Sequence, residues 1–201
     1  MFALVESGSI TKYLKGNQGI QIGDLKYPKA IYTLWTEAER NAIGIYTVEY
    51  DDSNKKDGEW YINTNQSYAF ADNKVTATYG TATARAHADT LFTAQDETDG
   101  KGTEGEVATR GLKYNLIQTV KAQAAGELAK TDWYVVRKSE ESTAIPSAIT
   151  THRRLVRSKA AAMETSITNA SDTPALETLY TYTRQEDGSM TRPLAEIPTL
   201  D

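Results

Sequence analysis

The sequence contains no cysteine, which excludes disulfide staples, thiolate metal ligands and cysteine nucleophiles together. Only two histidines are present, His87 and His152, so imidazole catalysis and histidine-based metal centres have little material to draw on. No run approaches the roughly 18 to 20 consecutive apolar residues of a membrane span, and a mean hydropathy of -0.54 agrees with a soluble chain. The opening Met1 to Glu6 has neither a basic start nor a long apolar stretch, so no signal peptide is expected. A general excess of basic residues is also missing: 22 Lys and Arg stand against 27 Asp and Glu, for a net charge of -5, and no nucleic-acid partner is expected. Together these absences lean away from an enzyme, with no catalytic residue, cofactor or metal expected.

What is present is a 201-residue chain, long enough for one ordinary domain or two small ones. The core is lean, at 39% apolar residues. There are 27 threonines and 12 tyrosines, residue types that suit half-exposed strands on a pleated surface. The negative charge is local. From Asp89 to Glu106 there are six carboxylates and a single lysine, Lys101, so the rest of the chain is close to neutral.

Residues 1 to 90 read as strands with one short helix. Phe2 to Glu6 and Ile10 to Leu14 flank a Ser7-Gly8-Ser9 turn, and Ile20 to Ile22 follows a glycine-rich break. Thr36 and Glu39 have the spacing of a capping box, and Gly44 is placed to end the helix that it starts. Ile45 to Tyr50 and Glu59 to Asn63 read as a hairpin with a long polar tip, and Tyr68 to Ala71 and Val75 to Tyr79 as another around Asp72-Asn73. Residues 93 to 111, rich in glycine, acids and threonine, read as a linker.

Beyond residue 111 the apolar period changes from 2 to about 3.6. Leu112, Leu116, Ile117, Val120, Ala124 and Leu128 form the stripe of one helix; Thr131 or Asp132 can cap a shorter one through Val136 to about Glu141. From Ser147 a longer helix carries Ile149, Val156, Ala160, Met163 and Ile167, and Asp172-Thr173-Pro174 starts a last one. The expected fold class is α+β: a small antiparallel β-rich docking module with a short helix over 1–92, an acidic linker over 93–111, and a helical hairpin or bundle with an irregular tail over 112–201.

Several chemical motifs are outweighed by structural readings. Gly100-Lys-Gly102-Thr-Glu-Gly105 matches G-x-G-x-x-G but lies among carboxylates that would repel a pyrophosphate. Glu97, Asp99, Gly100 and Glu106 fall at EF-hand-like places, yet Gln95 stands at the first ligand position. Arg153, Arg154, Arg157 and Lys159 can grip phosphate, although they read first as a solvated helix face. Asp51, Asp52, Asp57 and Glu59 in a polar tip, and His152 without a nucleophile elbow, read as solvated or structural. Trp35, Trp60 and Trp133 with the tyrosines read as aromatic anchors before they read as a sugar-binding face.

The segment Leu128-Ala-Lys-Thr-Asp132-Trp133, then Ile145-Pro146, then His152-Arg153-Arg154-Leu155-Val156-Arg157 resembles the C-terminal helical region of tailed-phage tail assembly chaperones and related virion proteins. The resemblance spans about residues 112 to 180; His152 stands where that family usually has tyrosine. It implies a non-enzymatic structural component of the tail, fibre or baseplate, made in the host cytoplasm and built into the virion. It also implies other tail proteins as partners and a homo-oligomer in the assembly. The alternatives are an assembly chaperone absent from the mature particle and a glycan-binding receptor module. The interaction residues expected are Trp133, Ile149, Arg153, Val156, Arg157, Met163 and Ile167. Trp133 is expected to seal the junction between helices, at a cost of about 3 to 5 kcal/mol if truncated, and the long stripe from Ile149 to Ile167 to need a partner to cover it.

Overall fold

The computed structural model describes residues 1 to 200 and divides into two compact units, Met1–Thr83 and the chain from Ala84 onward. The fold is α+β. The division falls at residue 83, earlier than the boundary at 92 expected from composition, because the strands and the short helix that follow it belong to the second unit.

The first unit contains β1 (Phe2–Glu6), β2 (Ser9–Leu14), β3 (Ile20–Ile22), β4 (Leu25–Tyr27), α1 (Ile31–Leu34), α2 (Glu37–Ala42), β5 (Ile45–Asp51), β6 (Tyr61–Ile62), β7 (Ser67–Ala71) and β8 (Lys74–Thr78), with β9 (Thr83–Ala84) at the division. Its main sheet runs β2-β1-β5-β8-β7. Two hairpins form where the sequence places them. Ser7 and Gly8 take positive φ between β1 and β2, and Asp72 and Asn73 do so between β7 and β8, the left-handed geometry that matches strand twist in a tight turn. The expected hairpin of Ile45 to Tyr50 with Glu59 to Asn63 does not form. Instead β5 pairs with β8 in parallel, Val48 opposite Val75, so the sheet is mixed where an antiparallel one was expected. Nothing in the local pattern could announce this pairing, since a parallel neighbour needs an intervening crossover.

Alternation along β1 feeds both faces of the sheet. Leu4 points to a cluster with Leu14, Ile20, Ile31, Tyr32 and Ile45. Ala3 and Val5 point to the opposite cluster with Val48, Val75 and Ala77. On that second side Tyr13 of β2 and Tyr68 of β7 bring their rings within 4.8 Å, so the sheet curls until its two edge strands approach each other. This closing protects strand edges that would otherwise be open to pairing.

The capping box on α2 is complete: the Glu39 amide donates to Thr36 Oγ1 while the Thr36 amide donates to Glu39 Oε2 at 2.8 Å. Gly44 follows at φ +80°, and a β-carbon there would stand 2.6 Å from the Val5 carbonyl oxygen. Gly44→Ala therefore combines left-handed strain with a backbone clash. The expected loss exceeds about 1 kcal/mol, read as a lowered denaturation midpoint; an unchanged midpoint would mean that the chain enters β5 differently.

The second unit contains β10 (Thr90–Leu91), α3 (Ala94–Thr98), β11 (Val107–Thr109), α4 (Leu112–Ala129), α5 (Asp132–Glu141), α6 (Ser147–Asn169), α7 (Thr173–Tyr180), β12 (Thr183–Arg184) and β13 (Met190–Thr191). Residues 93 to 111 are not an open linker. β10 and β11 pair as a hairpin with α3 inside its loop, and Thr93 and Asp96 form a second capping box. The base is tied down by the Gly111 amide, which donates to Asp89 Oδ1 at 2.8 Å, and by the Leu112 amide, which donates to the Ala86 carbonyl.

Composition pointed to disorder because little apolar surface is buried here, yet the carboxylates themselves act as the ties. Bonds from the Thr93 amide and hydroxyl, and then Lys101, hold the Asp96 carboxyl at a pKa of about 2. A carboxyl with a depressed native pKa stabilises fully above its unfolded value near 3.8 and loses that contribution as pH falls toward 2. A carboxyl-detected NMR titration should find the Asp96 midpoint near 2, with opening of α3 on the same transition; an ordinary midpoint would contradict the cap.

The helices carry the core of this unit. Ile149, Val156, Ala160, Met163 and Ile167 are buried on α6, as are Val120 and Ala124 on α4 and Leu176 on α7, with Leu194 of the tail. The α6 stripe thus needs no outside partner, contrary to the expectation from its length. Asp172 caps α7 by accepting from the Ala175 amide, with Pro174 in the first turn. The tail adds the small hairpin β12–β13, closed at Gly188. Among the described residues no helix is long and apolar enough to cross a membrane.

Candidate functional site

The junction of α4, α5 and α6 holds most of the buried polar chemistry of the second unit. Arg153 on α6 is buried and reaches back across the start of α5. Its Nη1 donates to the Leu128 carbonyl at 2.8 Å and to Thr131 Oγ1 at 2.7 Å, and lies 2.9 Å from Asp132 Oδ1. Thr131 is fully buried and donates its hydroxyl to Leu128 O. A guanidinium suits this place because its delocalised charge is less costly to bury than an ammonium while Nη1 meets all three oxygens. Arg153 fastens the end of α4 to α6 and fixes where α5 begins.

Beside it lies Glu127, a buried carboxylate on α4. It accepts from Lys130 Nζ at 2.5 Å and from the Leu200 amide at 2.8 Å, with His152 Nε2 at 3.2 Å. The Lys130 bond first, then the Leu200 amide, hold the Glu127 pKa below the ordinary glutamate value despite burial. Glu127 thereby ties the C-terminal tail to the bundle. The contact His152 makes here is with the Glu127 carboxylate, and no bond joins it to a serine among the described residues.

On the outside of this junction α5 buries none of its residues. Trp133 is 51% exposed, with Val135 at 43% and Val136 at 52%. Trp133 and Tyr134 stack at 3.8 Å between ring centroids, and the Arg137 guanidinium lies over both rings. Trp133 therefore does not seal the helix junction. Arg153 does that from beneath, which leaves the indole on the surface.

Next to these residues a groove of about 330 Å³ runs between α5 and α6, with Val135 and Ile145 as its apolar part and Arg154 and Arg157 among its polar lining. Neither arginine meets a carboxylate among the described residues; Arg157 has only a long bond, 3.4 Å, to the Arg153 carbonyl.

The expected interaction residues thus separate. Trp133 and Arg157 are on the surface at the α5–α6 face, whereas Ile149, Val156, Met163 and Ile167 are internal core and Arg153 is an internal fastener. For the four apolar residues the cause is that a stripe packed against α4 and α7 reads in sequence like a stripe awaiting a partner; Arg153 reads as a solvated cation until its partners around Thr131 are in place. Val135 and Ile145 were missed, and Arg154 was noted only as part of a basic helix face. The signal for Val135 was the Trp133-Tyr-Val-Val136 run, apolar on all sides and without a 3.6 period.

A second exposed cluster lies in the tail, where Arg192 stands over the Tyr180 and Tyr182 rings near exposed Met190, but this arginine approaches a carboxylate, Glu196, at 3.6 Å. The hollow beside the β2–β3 loop, about 390 Å³, is lined by residues including Lys12, Lys15, Asn17, Gln18 and Tyr32, with no acid or histidine for acid–base work. Among the described residues no group of three or more His, Asp or Glu side chains is arranged to hold a metal ion. Asp96 and Asp99 are paired with Lys101, and Glu97 accepts from the Glu104 amide. No protein-family model, curated protein or solved structure matches this chain.

Proposed function

We propose that the protein is a non-enzymatic structural component of a bacteriophage tail, fibre-associated or baseplate-associated, that works by docking to other proteins. The observation that carries the docking reading is the open α5 face. Trp133 and Val136 stand one turn apart on an exposed side of this surface helix, and Val135, on another side of it, lines the groove with two arginines that meet no carboxylate, next to the Arg153 fastening. A clustered aromatic and aliphatic surface with arginine is the composition of protein interface centres. The tail assignment is supported by the resemblance of the Asp132-Trp133, Ile145-Pro146 and His152 to Arg157 segments to tail proteins.

In this reading the chain is made in the host cytoplasm and retained in the virion. Mass spectrometry of purified particles tests it. A stoichiometric amount of this chain supports the structural role; presence in infected cells and absence from particles overturns it in favour of an assembly chaperone.

A further inference from the structure

We infer that the α5–α6 groove binds a second copy of this chain through that copy's β10–α3–β11 hairpin. This deepens the docking reading by naming an occupant, and it is tested on the purified chain, so its failure is distinct from absence from a virion.

The groove offers an apolar floor, Val135 and Ile145, edged by Arg154 and Arg157, which lie three residues apart on one helix and so point the same way. An occupant must therefore present a small apolar surface with two carboxylates beside it. The hairpin of the same chain has that composition. Leu91 of β10 and Val107 of β11 are register partners on the two strands, and they are 49% and 36% exposed. Next to Val107, Glu104 and Glu106 flank the Gly105 turn at φ +84°.

The other acids of the hairpin are spoken for: Asp89 by Arg110 and the Gly111 amide, Asp96 and Asp99 by Lys101, and Glu97 by the Glu104 amide. Glu104 and Glu106 have no side-chain partner among the described residues, and neither has Arg154. The excess charge of the acidic segment is thus concentrated where the exposed apolar pair lies, and the unpaired guanidiniums lie where the other apolar surface is. The hairpin is also rigid, held by the Thr93–Asp96 capping box and its ties at Gly111 and Leu112, so docking it costs little ordering entropy.

Groove and hairpin are different patches. The contact is therefore head-to-tail, and its repetition gives a closed ring or a filament, whichever its rotation allows. Because the charges stay near the rim, association should weaken with salt.

The test is sedimentation velocity on the full chain at about 50 mM and about 500 mM salt, ionic strengths between which the screening length shrinks severalfold. It uses two charge-reversed variants, Arg154→Glu with Arg157→Glu and Glu104→Arg with Glu106→Arg, each checked for unchanged circular dichroism. Wild type should associate at low salt and less so at high salt. Each variant alone, now carrying like charges on both patches, should associate about tenfold more weakly or not at all. An equimolar mixture of the two variants should recover association, because each reversed groove then meets a reversed hairpin of opposite sign, and each native groove a native hairpin.

Val107→Ser, which leaves every charge in place, should weaken wild-type association as well. A wild-type chain that stays monomeric at low salt, variants that associate like wild type, or a mixture that fails to recover would each overturn the inference.

Discussion

Ile167→Ala is expected to lower the stability of the helical unit by about 2 to 5 kcal/mol, the range for removing three methyl or methylene groups from a closed core. Ile167 is fully buried near the C-terminal end of α6, about three turns beyond Val156 and one beyond Met163, both also buried. Its neighbours come from regular helices that cannot collapse into the vacated volume without moving backbone, so the cavity remains. Loss of helical circular dichroism in denaturant reads the effect. Trp133→Ala is the contrasting case: the indole is half exposed and its contacts are to Tyr134 and Arg137 on its own helix, so the cost should be under about 1 kcal/mol. If the two substitutions cost the same, the α6 stripe is not the core of this unit.

Arg153→Ala should cost about 2 to 4 kcal/mol, since hydrogen bonds from a charged donor are lost and a buried hydroxyl and carbonyl are left with fewer partners. Leu128 O keeps the Thr131 bonds, which moderates the loss, but among the described residues no other side-chain bond joins the start of α5 to α6. Arg153→Lys should recover only part of it, because its shorter side chain ends in a strongly hydrated point charge, costlier to bury than the delocalised guanidinium that sets Nη1 against Thr131, Leu128 and Asp132. Asp132→Asn, by contrast, should cost less than about 1 kcal/mol, because its carboxylate is largely in water. Equal losses for Arg153→Ala and Asp132→Asn would mean that the ion pair, and not the buried bonds, holds the junction.

Local features were legible in the sequence where their energetics are local. Thr36 and Glu39, Asp172 and Pro174, and the Asp72-Asn73 turn each act within four residues, and each forms the cap or turn that its spacing implies. The 3.6-residue periods of α4 and α6 were legible for the same reason. The parallel β5–β8 pair was not, because it joins residues 27 apart that carry no mutual signature. The acidic segment was misread because its order comes from single bonds to distant backbone, Asp89 to Gly111 and Ala86 to Leu112, which composition cannot register.

The site was half legible for a related reason. An apolar residue on an amphipathic helix announces burial, and only the packing of α4 and α7 against α6 decides that the burial is internal. Trp133 and Arg157 were found for reasons of pattern; Val135, Ile145 and Arg154 become a groove only when α5 and α6 lie side by side.

The central claim is that this chain docks through the outer face of α5 while the α6 stripe is spent inside its own unit. Hydroxyl-radical footprinting of the isolated chain and of the assembled particle, read at Trp133 and at Met163, tests it most directly. Trp133, half exposed in the chain alone, should oxidise readily when isolated and be protected in the assembly; Met163, 2% exposed, should stay unmodified in both. Oxidation of Met163 in the isolated chain, or equal oxidation of Trp133 in both states, would contradict the account.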